Sequence, residues 1–167
     1  MGRAYVATLP RWGGIVVLTI ALGLPAFTSQ AGEIIAKGRN ITHTVKSEWT
    51  EVSEGHVIGF FEAAGIGLHE DAQITTIENK GSFDSIKGNA TNKGYMTKTF
   101  TDGSTYSSSW QGTSKRAGDH KVYEGTWQYA GGTGRYLGVK GEGTYSGRSY
   151  GKMTVIDFEG KTILPAQ

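Results

Sequence analysis

The chain has 167 residues, 26 of them glycine, with no cysteine and 17 basic against 15 acidic side chains. The missing cysteines exclude a disulfide framework and thiolate chemistry. The near balance of charge offers no basic surface of the kind that nucleic acid or anionic lipid requires, so neither is expected as a partner.

The first 31 residues have the three-part layout of a secretory signal peptide. Arg3 and Arg11 make a positive leader, Gly13–Leu24 is an uncharged apolar run, Pro25 breaks it, and Ser29 and Ala31 precede a cleavage point. The rival, a membrane anchor, needs about 20 apolar residues. Residues 1–31 are therefore read as a cleavable signal peptide and 32–167 as one domain, exported by the ordinary unfolded route to the periplasm or the exterior. No stable membrane insertion is expected after cleavage. Losing Arg3 and Arg11 leaves the mature domain neutral.

Gly32–Gly38 has room for one helical turn. Strands follow. In Ile41–Trp49 the odd positions Ile41, His43, Val45, Ser47 and Trp49 alternate with polar ones, the signature of a half-buried strand. Gly55–Leu68 is apolar on both faces and reads as a central strand, with a polar turn at His69-Glu70-Asp71. Ala72–Asn79 and Ser82–Ile86 read as two short strands. Asp102-Gly103 is a favoured two-residue hairpin loop. It would pair Thr99 with Tyr106, Thr97 with Ser108 and Tyr95 with Trp110, placing all six on one inward face and Met96, Lys98 and Phe100 on the other. Tyr123–Ala130 alternates most cleanly, with Tyr123, Trp127 and Tyr129 in phase. Lys152–Phe158 and Lys161–Leu164 close the chain around a Glu159-Gly160 turn.

About eight strands joined by short turns predict an all-β fold, a sandwich or a closed barrel. Polar, glycine-rich strands with open edges would invite pairing between molecules, which favours a single antiparallel closed barrel. An outer-membrane barrel would carry an apolar outward band, whereas Lys46, Glu48, Lys98, Glu124 and Gln128 are expected to face outward.

The stretch Tyr123–Lys152 is crowded with glycine and aromatic residues. It is not a phosphate loop: Gly141-Glu142-Gly143-Thr144-Tyr145-Ser146 lacks the third glycine of a dinucleotide fingerprint, and a strand follows it. Its rings argue against disorder. Glycines beside rings let a sheet bend while the ring covers bare backbone. Gly131–Gly134 is predicted as a turn, and Gly138, Gly141 and Gly143 as bends. The run Gly131, Gly132, Thr133, Gly134, Arg135, Tyr136 and Gly138, followed by Gly141 and Gly143, resembles the signature of the allene oxide cyclase/dirigent-type barrel superfamily, and most closely its exported bacterial members. The resemblance is sharp over Glu124–Tyr145. It implies an eight-stranded antiparallel barrel with an interior cavity, and a homo-oligomer, since some relatives are trimers. It transfers no catalytic residue. The plant cyclases use a cysteine that this chain lacks, and the acidic, arginine and tyrosine groups of dirigent proteins cannot be aligned here.

Two carboxylates are catalytic candidates. Glu62 is in phase with Ile58, Phe60, Ile66 and Leu68; if that phase points inward, burial makes Glu62 an acid or base. If Val57, Phe61 and Ala63 point inward instead, Glu62 is solvated. Asp157, between Ile156 and Phe158, is either interior or at a rim. His43 reads as a hydrogen-bonded core residue. The histidines at 43, 56, 69 and 120 lack close metal-ligand spacing, so no metal is expected, and no cofactor. Trp49, Tyr95, Tyr106, Trp110, Trp127 and Tyr129 are candidates for a ligand-binding aromatic lining, or else simply fill the core. Three functions stay open: a binding module for a small apolar or aromatic molecule, a cyclase- or isomerase-like enzyme using Glu62 or Asp157, and a filled envelope barrel acting through its surface.

Overall fold

The structure, a computed structural model, describes residues 32–165. The expected leader lies outside the described residues. Eight strands follow one another: β1 Gly32–Ser53, β2 His56–His69, β3 Ile74–Ile86, β4 Asn89–Phe100, β5 Thr105–Ala117, β6 His120–Gly132, β7 Lys140–Tyr150 and β8 Met153–Leu164. Each is antiparallel to its neighbour in sequence, and β1 pairs with both β2 and β8, so the single sheet closes into a barrel. The expected all-β class and strand number hold. Closure leaves no edge strand for another chain to extend.

The strands are longer than their patterning suggested, because a strand paired on both sides survives local irregularity. Gly32–Gly38 is no helical turn; it opens β1 and pairs along β8. Residues 74–86 form one strand, and β8 runs straight through Glu159-Gly160.

What makes this possible is a set of glycine pairs facing one another across strands: Gly81 with Gly94, Gly112 with Gly125, and Gly143 with Gly160. Each pair lies under one ring. A Cβ on Gly94 would fall 2.5 Å from Trp110, one on Gly125 2.6 Å from Tyr145, and one on Gly160 2.6 Å from Trp127. The rings lie against backbone that no side chain covers.

The β4–β5 hairpin corrects the predicted register. Phe100 N–H donates to Ser104 C=O at 2.9 Å, and Gly103 N–H to Phe100 C=O at 3.0 Å, with Gly103 at φ 80°. This is a three-residue loop, Thr101–Gly103, ending in a left-handed glycine. The ladder therefore pairs Lys98 with Tyr106, Thr97 with Ser107 and Tyr95 with Ser109. A one-residue slip turns a whole strand over. Tyr106, Ser108 and Trp110 face inward as expected, but their inward companions on β4 are Met96, Lys98 and Phe100. Tyr95 is outside, 64% exposed.

A bulge at Val45, between the Thr44–Ala63 and Lys46–Glu62 pairs, flips the phase of β1. Asn40 and Thr42 are buried before it, while Ile41 and His43 point outward; beyond it Ser47 and Trp49 turn in. The expected core placement of His43 is thereby corrected.

One end of the barrel is filled. Phe100, Tyr106 and Val139 are buried there with Tyr129, Tyr136 and Leu164 around them. The glycine-rich connection between β6 and β7 supplies the lid of this plug through a short 3-10 turn, Gly134–Tyr136. Tyr136 stacks on Phe100 at 4.6 Å, and the Arg135 guanidinium lies 4.6 Å over the same ring while pairing with Asp102 at 3.4 Å and bonding Gln73. The turn predicted at Gly131–Gly134 lies further on: Gly131 and Gly132 still pair with β5 as the end of β6, and the reversal runs from Thr133 to Val139 and closes this end of the barrel.

Gly94→Ala forces a methyl into the Lys80 carbonyl and the Trp110 ring. We expect a loss of about 1–3 kcal/mol, read as a lowered midpoint in urea denaturation at unchanged slope.

Candidate functional site

Above the plug the interior is open. A cavity of about 770 Å³ occupies the rest of the barrel, within the usual size of small-molecule pockets. Its floor is the top of the plug. Its mouth lies among the β5–β6 and β7–β8 turns, where Arg116, Asp119, His120, Lys121 and Lys152 stand.

The wall is aromatic. Trp110 donates its indole N–H to Asn79 Oδ1 at 2.9 Å and sits 6.1 Å from Phe61 and 6.4 Å from Tyr145. Trp127 donates to the Thr144 carbonyl at 3.2 Å and meets Phe158 edge-on at 6.4 Å. These bonds hold both indoles against the wall. Burial pushes the Tyr145 hydroxyl up to about 12, with a smaller contribution from nearby Tyr123, so it is a hydrogen-bond donor at neutral pH and not a base.

The lining also carries polar atoms without partners. Asn40 Oδ1 and Asn92 Nδ2 are buried and unbonded. A buried polar atom left unpaired costs roughly 1–3 kcal/mol, which a guest's own polar group can recover.

Lys98 is the residue that sequence reasoning placed outside and the structure places within. It is only 2% exposed, on the cavity floor, with its ammonium 3.9 Å over the Phe158 ring and 5.7 Å from Tyr106. It enters none of the ion pairs found among the described residues. Desolvation pushes its pKa down to about 7, because the charged form loses its water without gaining an acid. Beneath it, burial and then the Lys98 charge hold the His69 ring down at about 4.

The sequence candidates divide. Trp49, Tyr106, Trp110 and Trp127 line the cavity, Trp49 at the mouth. Tyr129 belongs to the plug, where its hydroxyl meets Thr162 Oγ1 at 2.8 Å. Tyr95 is on the outer wall, for the register reason above. Glu62 is also outside, 3.6 Å from Lys80, because Val57, Phe61 and Ala63 take the inward phase of β2. Asp157 is outside in a two-pronged pair with Arg39, at 2.6 and 3.0 Å, and the hydrogen bonds from that guanidinium lower its pKa. The cavity lining contains one carboxylate, Asp119, at the mouth. Sequence reasoning missed Lys98, Asn40, Phe83 and Tyr145 as lining residues. Glycine–ring neighbours along the chain could have found Tyr145; no local signal marks Lys98.

No protein-family model matches the chain, and no curated protein does. Among solved structures the chain is similar to two pterocarpan synthase dirigent proteins. The first is 15% identical with a TM-score of 0.48, over 83% of this chain and 89% of the other. The second is 15% identical with a TM-score of 0.46, over 82% and 97%. Both are dirigent proteins; neither represents the allene oxide cyclase or bacterial side of the sequence resemblance.

Lys98→Met tests the burial. With a folded pKa near 7 and an unfolded one near 10.5, the unfolded chain binds more protons between those values, so Lys98 costs most at and below pH 7 and less as pH rises. The variant should be more stable than the parent at pH 7, with the advantage shrinking toward pH 10, as measured by paired denaturation curves. His69 acts in the same direction lower down: stability falls with pH from about 6.5 toward 4.

Proposed function

We propose that the protein is a binding module that holds one small apolar or aromatic molecule in its barrel. The observation that supports this is the open, aromatic-walled cavity of about 770 Å³ where a filled barrel would have side chains. The unbonded Asn40 and Asn92 atoms suit a guest with a few polar handles. Acid–base catalysis by Glu62 or Asp157 loses its support, since both carboxylates lie on the outer surface in ion pairs.

A neutral apolar dye, N-phenyl-1-naphthylamine, should brighten on binding the wild type. Ser108→Phe fills the space beside the floor and should weaken the dye at least about tenfold, equivalent to about 1.4 kcal/mol, with circular dichroism unchanged. Glu62→Gln and Asp157→Asn should bind as the parent does. No brightening with the wild type, and no small molecule retained on purification, would refute the reading.

We propose further that copies of the chain associate through the outer face of β2. Ile58, Phe60, Ile66 and Leu68 point outward there, with Ile74 beside Leu68, and Phe60 is 69% exposed. Exposed apolar residues on both sides of the Glu62–Lys80 ion pair mark an interaction surface. Phe60→Glu should lower the mass seen in sedimentation; a monomeric parent would overturn the assignment.

A further inference from the structure

We infer that Lys98 is a covalent capture site, forming an imine with an aldehyde-ended apolar or aromatic guest at the cavity floor. The inference rests on the cavity-binding reading and adds the chemical class of the guest and its mode of attachment.

The placement carries it. Lys98 is a cavity-lining lysine on the floor, whereas Lys121 and Lys152 stand at the mouth. A guest that fills the aromatic chamber brings its leading end to this amine. The charged and titratable groups around it are few. β2 presents His69, β5 presents Tyr106, and β1, β3 and β8 present Asn40, Thr75 and Phe158, none of which titrates in the ordinary range. No carboxylate is among them to hold the ammonium charged, and desolvation favours the free amine, the nucleophilic form.

The tight packing over Gly67, beside the amine, limits the guest's end. A Cβ there would lie 3.3 Å from Lys98 Nζ, 3.2 Å from Asn40 Oδ1 and 2.5 Å from Thr75 Oγ1. A ketone would push a second carbon substituent into this nook, while an aldehyde brings only hydrogen. The amine adds to the carbonyl carbon to give a carbinolamine. The C–O bond then breaks as C=N forms, and water departs, its oxygen from the aldehyde and both its hydrogens from the amine nitrogen. No oxidant or reductant takes part. Asn40 Oδ1, buried and without a donor, accepts the O–H or N–H of the carbinolamine.

The test treats the full protein with cinnamaldehyde and sodium cyanoborohydride at pH 7.5, followed by intact mass and peptide mapping. The expected result is one reduced cinnamyl group, mapped to Lys98, formed at least about tenfold faster than at any exposed lysine, whose amine is almost wholly protonated at that pH. Labelling at Lys98 should rise through pH 7 and level off, should be slowed by excess N-phenyl-1-naphthylamine, and should vanish in Lys98→Arg. The mapping on wild type decides the matter even if that variant folds poorly. Label spread over exposed lysines with none at Lys98, while the dye still binds, overturns the capture site and leaves the binding reading standing. Loss of both dye binding and Lys98 labelling overturns both.

Discussion

The barrel depends on backbone left bare in pairs and covered by rings. At Gly81–Gly94, Gly112–Gly125 and Gly143–Gly160 two strands face one another with no side chain between, and Trp110, Tyr145 and Trp127 lie over them. This arrangement does two things at once. It lets the wall curve without crowding its inner surface, and it occupies the largest side chains with the wall itself. Rings held against the wall in this way leave the middle open. The cavity is thus a consequence of how the sheet is curled, in contrast to small barrels whose inward side chains meet at the centre.

The filled end has a different origin. There the connection between β6 and β7 folds inward, and Tyr136, Arg135 and Val139 complete a cluster begun by Phe100 and Tyr106. The run from Gly131 to Tyr136 is therefore structural: its glycines permit the reversal, its tyrosine stacks, and its arginine ties the lid to Asp102 and Gln73. A glycine-rich run is spent on a stopper.

Much of this was legible in the residues. The alternation of Tyr123, Trp127 and Tyr129 gave the inward face of β6, and the glycine–ring spacing gave a curled sheet. What was not legible turns on single-residue shifts. The hairpin at Asp102-Gly103 has one loop residue more than its dipeptide suggests, and that alone moves Tyr95 out and Lys98 in. The Val45 bulge does the same to β1, sending His43 outward and Trp49 inward. Period-two reasoning has no memory across a bulge, so it fails wherever one occurs. The phase of β2 was ambiguous for another reason: Phe60 and Phe61 are equally apolar, and an exposed hydrophobic outer face cannot be told from a buried one by composition. Glu62 was left open with it, and the solvated alternative is the one that holds.

The plug at one end and the turns at the other make the chamber a cul-de-sac. Whatever goes in must come out by the same door, so the molecule cannot serve as a conduit. An occupant would acquire a direction, with one extremity toward Lys98 and Asn40 and the other near Trp49 and the charged turns. A container with such a bottom can distinguish head from tail in a guest before it distinguishes anything else.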